Sequence, residues 1–504
     1  MGGSIKTQRE VNGLFELTDG ARNNLKNNAY YNDDLAPTKL DERTWGTYHI
    51  AALWVGMSVC IPTYMMASGL MAAGLSWWQA ILNIAIGNLI VLIPMQLNSH
   101  AGTKYGIPYP VFARLSFGIK GAHIASIARA IVAAGWFGIQ TWIGGGAINA
   151  VLSIVSPAWG AWSAGIWVSF FAFWALNVWI AYKGAEAIKF MEAWGAPILG
   201  ILSLSLMIWA VTAVGSMGKG IGDILNLPAT YAPGGFWKIF LPGLTANIAF
   251  WSTLALNIPD FSRYAKTQKD QFMGQLLGLP TTMAAFAFVG VFVTGATSIV
   301  YGEFLWDPVA VVANIGSPIA GLLGALGIAV ATLTTNIAAN VVAPANGISN
   351  LNPQKITYGM GAIVTGVAGV LMMPWKLMET AGAYLFDWLG TYGLFLGPLA
   401  GMYVADYYIY RKKTLDLDDL FKGEQSRYWY ENGINKKAIY TWIIAGIFPV
   451  LGKVVPSLSF FSDNGWVIGF IVAMVVYPML MKNETSSLIT PEEEKAMNEK
   501  VTVK

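Results

Sequence analysis

The chain has 504 residues, 55% of them hydrophobic and 12% charged, where an ordinary soluble domain carries about 25% charged residues, and its net charge is +3. That composition excludes water as the main solvent, and the near-neutral charge excludes a nucleic-acid partner, which needs a concentrated basic face. The lone Cys60 excludes an internal disulfide or thiolate cluster, and His49, His100 and His123 stand at no metal-ligand spacing.

The first stretch, up to the mid-forties, is polar and contains no signal-peptide apolar core, so insertion falls to the first spanning helix. Apolar runs long enough for a hydrocarbon layer then recur, predicting an all-α polytopic membrane protein with twelve transmembrane helices. They are Tyr48 to Ala73, Trp77 to Leu97, Ile124 to Ile154, Ser163 to Tyr182, Trp194 to Val214 and Ile239 to Asn257. Leu276 to Tyr301, Pro318 to Val342, Ile356 to Met373, Ala381 to Tyr410, Ala438 to Leu451 and Gly465 to Met481 follow. The organisation expected is a tail at 1–47, a ten-helix core at 48–411, a loop at 412–437, two accessory helices at 438–481 and a tail at 482–504. The core divides into repeats at about 48–214 and 239–410, and both tails read as solvated.

Basic residues distribute unevenly once the N-terminus is placed in the cytoplasm. Lys104, Arg114, Lys120, Lys183, Lys189, Arg263, Lys266, Lys269, Arg411, Lys412 and Lys413 fall inside, against Lys219, Lys238, Lys376 and Lys453 outside. The positive-inside rule then puts both termini in the cytoplasm of a bacterial inner membrane.

Two spans read as broken, five helices apart. The first contains WVGMSVCIPTY, with Gly56, Ser58 and Pro62; the sixth contains PGLTANIAFWSTLALNIPD, with Pro242, Gly243 and Asn247 early and Pro259 at its end. Paired interruptions in two halves point to a transporter built on a five-plus-five inverted repeat, with its site at the breaks. Each alone is equally an ordinary Gly or Pro in a membrane helix.

Spans one, six and eight hold no charged side chain, and neither does the whole stretch from Ser317 to Gln354. That stretch carries Thr332, Thr334, Thr335, Asn336, Asn340, Asn346, Ser349 and Asn350. Such a lining recognises a neutral solute and has little means of breaking bonds, so an enzyme is not expected. Gln140, Asn340 and Asn336 offer amide donors and acceptors that match a flat heterocycle with N–H and C=O groups. Trp136, one turn before Gln140, and Trp251, mid-span in the sixth helix, can stack on such a ring or simply pack. Thr334 and Thr335 can supply hydroxyls to a sodium ion, or bond back to the preceding carbonyl.

The strings NSHAGTKYGIPYPVFARLSFGIKG from Asn98, AGWFGIQTW from Ala134, LNIPDFSRYAKTQKDQ from Leu256, ATLTTNIAANVVAPA from Ala331, MMPWKLM from Met372 and LGPLAGMYVADYYIYRKK from Leu396 carry a family resemblance. Together they resemble the nucleobase cation symporter family of hydantoin, allantoin, uracil and cytosine permeases, the bacterial allantoin branch above all. The resemblance implies a LeuT-like fold, alternating access, stacking by Trp136 and Trp251, and hydrogen bonding by Gln140 and Asn340. It also implies a sodium site drawn from carbonyls of Gly56, Val59 and Ala331 with the Thr334 and Thr335 hydroxyls. Cys60 stands where relatives place an amide, and Phe250 where the hydantoin branch has Gly, which makes both substrate-facing and the pocket more apolar.

The reading is therefore a symporter for a small neutral nitrogen heterocycle, with no cofactor beyond a coupling cation, Na+ or else H+. The partners expected are that substrate and the lipid bilayer, with the chain a monomer. A proton-coupled carrier of a less polar, indole-like ring and a transporter-like sensor stay open as alternatives. A channel would need a filter that no segment resembles. Trp375 to Leu389 is the candidate external gate.

Overall fold

The computed structural model describes residues 6–183, 185–231, 234–349, 351–352 and 355–500. The side chains of Lys189, Trp194, Asn346 and Ser349, and all of Asn350 and Gln354, lie outside the described residues.

The first predicted span is two helices, α1 (Thr47–Ser58) and α2 (Ile61–Ala72), that meet at 58°. Val59 (ψ 82°) leaves helical geometry and Cys60 (φ −147°, ψ 158°) is extended. Pro62 stands in the first turn of α2, where its missing N–H would have no partner anyway. Then follow α3 (Trp77–Tyr105), α4 (Tyr109–Phe117), α5 (Ala122–Val155), α6 (Gly165–Lys183) and α7 (Ala185–Ser216). The sixth predicted span is α8 (Trp237–Phe250) and α9 (Ser252–Asn257), interrupted at Trp251 rather than at Pro242 and Gly243. Pro242 is tolerated because it lies near the start of α8, and the carbonyl it frees belongs to exposed Lys238. Asn247 reinforces the helix instead of weakening it: its amide donates to the Gly243 carbonyl (3.0 Å) and to Asn83 Oδ1 (2.6 Å) on α3.

The second half runs through α10 (Gln268–Tyr301), α11 (Pro308–Asn314), α12 (Pro318–Asn340), α13 (Val342–Ser349) and α14 (Tyr358–Leu371). A π-helical stretch (Ala383–Leu389) leads into α15 (Gly390–Val404), and α16 (Lys436–Val454) and α17 (Gly465–Met481) close the bundle. Among the described residues, seven helices are long and apolar enough to cross a membrane, and two bent pairs raise this to nine. The other three predicted spans are the broken α8–α9, the 14-residue α14, and the tenth, whose helix is π-helical at both ends. Ile93, Ile201, Leu323 and Ile443 are exposed on helix surfaces, as a hydrocarbon solvent permits.

Packing sorts the helices into two groups. α1, α2, α8 and α9 lie with α3 and α10, while α5 gathers α6, α12, α13 and α14. α15 and the π-helical stretch lie along α8, with α16 and α17 behind α15.

The tails are not free solvated segments. Strands β1 (Gln8–Val11) and β2 (Leu14–Leu17) form an antiparallel hairpin, and β3 (Asn498–Lys500) joins β1 in parallel. Phe15, Leu17, Ala21 and Leu25 are buried, apolar positions that a polar average conceals. On the same side Arg411 pairs with Asp406 (3.0 Å) and donates to the Ser487 carbonyl (2.7 Å), binding the second tail to the core.

Candidate functional site

The second helix break meets the middle of α5. Trp136 is buried there, edge-on to Phe250 with ring centroids 5.1 Å apart. Phe250 stands edge-on to Trp251 (5.0 Å), and Trp251 to Trp54 of α1 (5.2 Å). These are the T-shaped arrangements that aromatic quadrupoles favour. Phe250 thus touches both indoles, and no described ring contact joins Trp136 to Trp251 directly.

A third wall comes from the tenth segment, which sequence reasoning named only as a gate. Tyr384 and Trp388 stand edge-on to Trp136 at 6.1 and 6.5 Å. The Trp136 indole donates to the Tyr392 hydroxyl (3.3 Å), which donates to the Ala249 carbonyl (2.9 Å) just before the break. Gly135 makes this approach possible, because a Cβ there would run into the Trp388 ring. Tyr384, Trp388 and Tyr392 stand at i, i+4 and i+8, a legible stripe, but with 21 Trp and 21 Tyr many such stripes exist.

The amides divide into two kinds. Asn336 donates to the Phe137 carbonyl (3.2 Å), the Thr141 hydroxyl (3.1 Å) and Asn177 Oδ1 (3.2 Å), and so fastens α12 to α5 and α6. Asn340, one turn on, donates to Asn336 Oδ1 (3.0 Å). Gln140 lies one turn beyond Trp136, is buried, and its Oε1 has no hydrogen-bond partner among the described residues. The Nε1 atoms of Trp251 and Trp388 are likewise unmatched. A buried polar atom left without a partner costs about 1–3 kcal/mol, so one acceptor and two donors around the same aromatic cluster suit a ligand bearing both kinds of group.

Cys60, at the first break, lies 3.3 Å from the Thr63 hydroxyl and faces the buried interior. The Thr334 and Thr335 hydroxyls both donate to the Ala331 carbonyl, at 2.9 and 3.0 Å. This is the back-bonded arrangement, which leaves the lone pairs of both hydroxyls available as oxygen ligands. Gly56 is exposed and Val59 half-buried, whereas Ala331 is buried; no described hydrogen bond joins the two sets. Among the described residues no three His, Cys, Asp or Glu side chains gather as a metal cluster.

The Tyr384 ring stacks on Trp306 (6.1 Å, 22°) from the connection before α11. Beside it a cavity of about 530 Å³ is lined by Trp142, Asn149, Ser153, Asp307 and Met378. The Asp307 carboxylate caps α11 by accepting from the Val309 N–H (2.9 Å), and burial pushes its carboxyl up to about 6.

A family model described as a permease for cytosine/purines, uracil, thiamine and allantoin matches residues 37–472. The purine-uracil permease NCS1 of Arabidopsis thaliana is 42% identical over 470 residues, covering 89% of this chain and 77% of that protein. The allantoin permease of Bacillus subtilis is 38% identical over 469 residues, covering 91% and 94%. Among solved structures, the inward-facing conformation of Mhp1 superposes with a TM-score of 0.79 at 25% identity, over 94% of this chain and 99% of that one. The same transporter, of the nucleobase-cation-symport-1 family, in a closed conformation with bromovinylhydantoin bound gives 0.76 over 93% and 99%.

Proposed function

Because the chain belongs to the family of permeases for cytosine and purines, uracil, thiamine and allantoin, we propose that it is a symporter that imports one small neutral nitrogen heterocycle with a cation. The chain is a multi-pass membrane transporter and not an enzyme. The cargo is of the allantoin, hydantoin or nucleobase type, held between the Trp136 and Trp251 indoles, with Gln140 and Asn340 reading its polar edges. The observation that carries this reading is the unmatched Gln140 Oε1, aligned with Trp136 on one face of α5 and accompanied by spans one, six and eight, which hold no charged side chain. Twelve spans, a 48–411 core with two accessory helices, and cytoplasmic termini complete the arrangement, supported by the asymmetry of basic residues. Sodium is the coupling ion, held by the Gly56, Val59 and Ala331 carbonyls and the Thr334 and Thr335 hydroxyls.

Quenching of Trp fluorescence tests the proposal, across allantoin, hydantoin, uracil, cytosine and indole, each with and without sodium. Saturable quenching by one ring, tightened by sodium and lost in Gln140→Ala, is the result expected. A response indifferent to sodium moves the coupling to protons, and silence toward every ring removes the substrate class. Counterflow in proteoliposomes separates carrier from sensor.

One observation favours a second reading, a less polar ring as cargo. Phe250 stands edge-on to Trp136 with ring centroids 5.1 Å apart, and the buried Cys60 thiol is a poorer hydrogen-bond partner than an amide. Competition between indole and allantoin for the quenching decides between the two.

A further inference from the structure

Arg129 is buried within α5, and its Nε and Nη1 have no hydrogen-bond partner among the described residues. A guanidinium held out of water with donors unspent is costly, and such groups in a membrane protein mark function. Its position on the helix is specific. Arg129, Trp136 and Gln140 stand at i, i+7 and i+11, which at about 100° per residue puts all three on one face, with Arg129 about 10 Å below Trp136.

Across from it is Asp260, in the short helix Pro259–Ser262 that packs on α3 and so belongs to the other helix group. The Asp260 carboxylate accepts from the Tyr109 N–H (2.7 Å) and from Asn257 Nδ2 (3.3 Å). The charge of Asp260 reaches Arg129, as does the Tyr109 phenol, yet no described ion pair joins the two residues. Arg263 also acts on Asp260, but its guanidinium is held by the Asp34 carbonyl (3.0 Å) and the Tyr264 hydroxyl (2.7 Å). α9, which ends just before Asp260, touches α5, so the two charges lie on opposite sides of the boundary between the groups. The opposite mouth of the site is meanwhile covered by Tyr384 and Trp306.

We propose that Arg129 and Asp260 are the latch of the inner mouth: they join as an ion pair when the site opens outward and stand apart, as here, when the outer mouth is closed. This rests on the alternating-access reading and adds the residues that set its equilibrium. Joined, the pair gives Arg129 its missing acceptor and holds the face below Trp136 shut; apart, it releases that tie, so that the face, buried here, can part for the cargo to leave.

The test places Ala133→Cys on the same face, in full-length chain, and follows its alkylation by an impermeant maleimide from each side of membrane vesicles. The chain without Ala133→Cys gives the blank for buried Cys60. Asp260→Asn keeps an acceptor for the Tyr109 N–H and removes only the charge; it and Arg129→Gln are expected to raise labelling from the inner side several-fold. Arg129→Lys stays near wild type, and the swap Arg129→Asp with Asp260→Arg brings the rate back down. An inner-side rate unmoved by either neutralisation, or raised but not reversed by the swap, overturns the latch. Allantoin, hydantoin and uracil are added in parallel. If none changes labelling in the otherwise wild-type chain while the charge variants still do, the cargo assignment fails and the latch stands.

Discussion

The Tyr384 hydroxyl donates to the Pro62 carbonyl at 3.2 Å, tying the π-helical stretch of the tenth segment to α2 just past the first break. With Trp306 stacked on its ring, Tyr384 covers one end of the aromatic cluster, the outer end in the proposed orientation. One neutral hydrogen bond is worth about 1 kcal/mol net, or about fivefold in an equilibrium. Tyr384→Phe keeps the stacking and removes the bond, so release of a bound ring to the outside is expected to quicken about fivefold with binding retained. Unchanged release in right-side-out vesicles would mean that closure rests on ring packing alone.

Phe250 occupies the corner between Trp136 and Trp251, touching each edge-on. Phe250→Gly vacates that corner while leaving both indoles in place. Affinity for hydantoins carrying a bulky 5-substituent is expected to rise relative to unsubstituted hydantoin, by about tenfold if a buried side chain's worth of apolar contact is regained. Competition binding with the two ligands gives the ratio, and an unaltered ratio would place Phe250 outside the cargo's reach.

Thr334 and Thr335 share one carbonyl, that of Ala331. Deleting either hydroxyl relieves that carbonyl of a donor and, at the proposed sodium site, removes an oxygen ligand. Under sodium coupling, Thr334→Ala and Thr335→Ala each raise the sodium concentration needed for half-maximal ring binding by at least about tenfold, the cost of one lost ligand of 1.4 kcal/mol. Titration of quenching against sodium measures this. Substitutions that leave the sodium curve where it was would assign the hydroxyls to helix bonding and move the cation elsewhere.

The helices, and the fact of two breaks, were legible because apolar runs and misplaced Gly and Pro are local signals. The place of the second break was not. Pro242 looks disruptive in isolation but sits near the start of α8, and Asn247 spends its amide on Asn83 and the Gly243 carbonyl. Asn336 was singled out for its chemistry alone, and only tertiary packing reveals that Phe137, Thr141 and Asn177 engage it. Tyr384 and Trp388 fall within the expected gate and Tyr392 just past it, but an aromatic stripe does not say which helix it will face. The tails read as solvated because a few apolar side chains, Phe15 and Leu17 among them, do not shift a polar average, and the pairing of β1 with β3 spans almost the whole chain.

Asp307, on the wall of the cavity beside Trp142 and Met378, gives the pH dependence. Its carboxyl is pushed by burial from an ordinary 3.8 up to about 6, opposed by the hydrogen bond from the Val309 N–H. The folded state therefore holds this proton more tightly than the unfolded chain does. The contribution to stability is complete below about pH 4, falls as pH rises toward about 6, and is absent above that. Asp307→Asn keeps an oxygen to accept from the Val309 N–H and carries no charge at any pH, so this loss disappears. Thermal unfolding of detergent-purified protein between about pH 4.5 and 8 is expected to show the variant gaining on wild type as pH rises, with the two converging at the acid end. Parallel curves across the range would show that the Asp307 carboxylate ionises without cost, in contact with water through the cavity it lines.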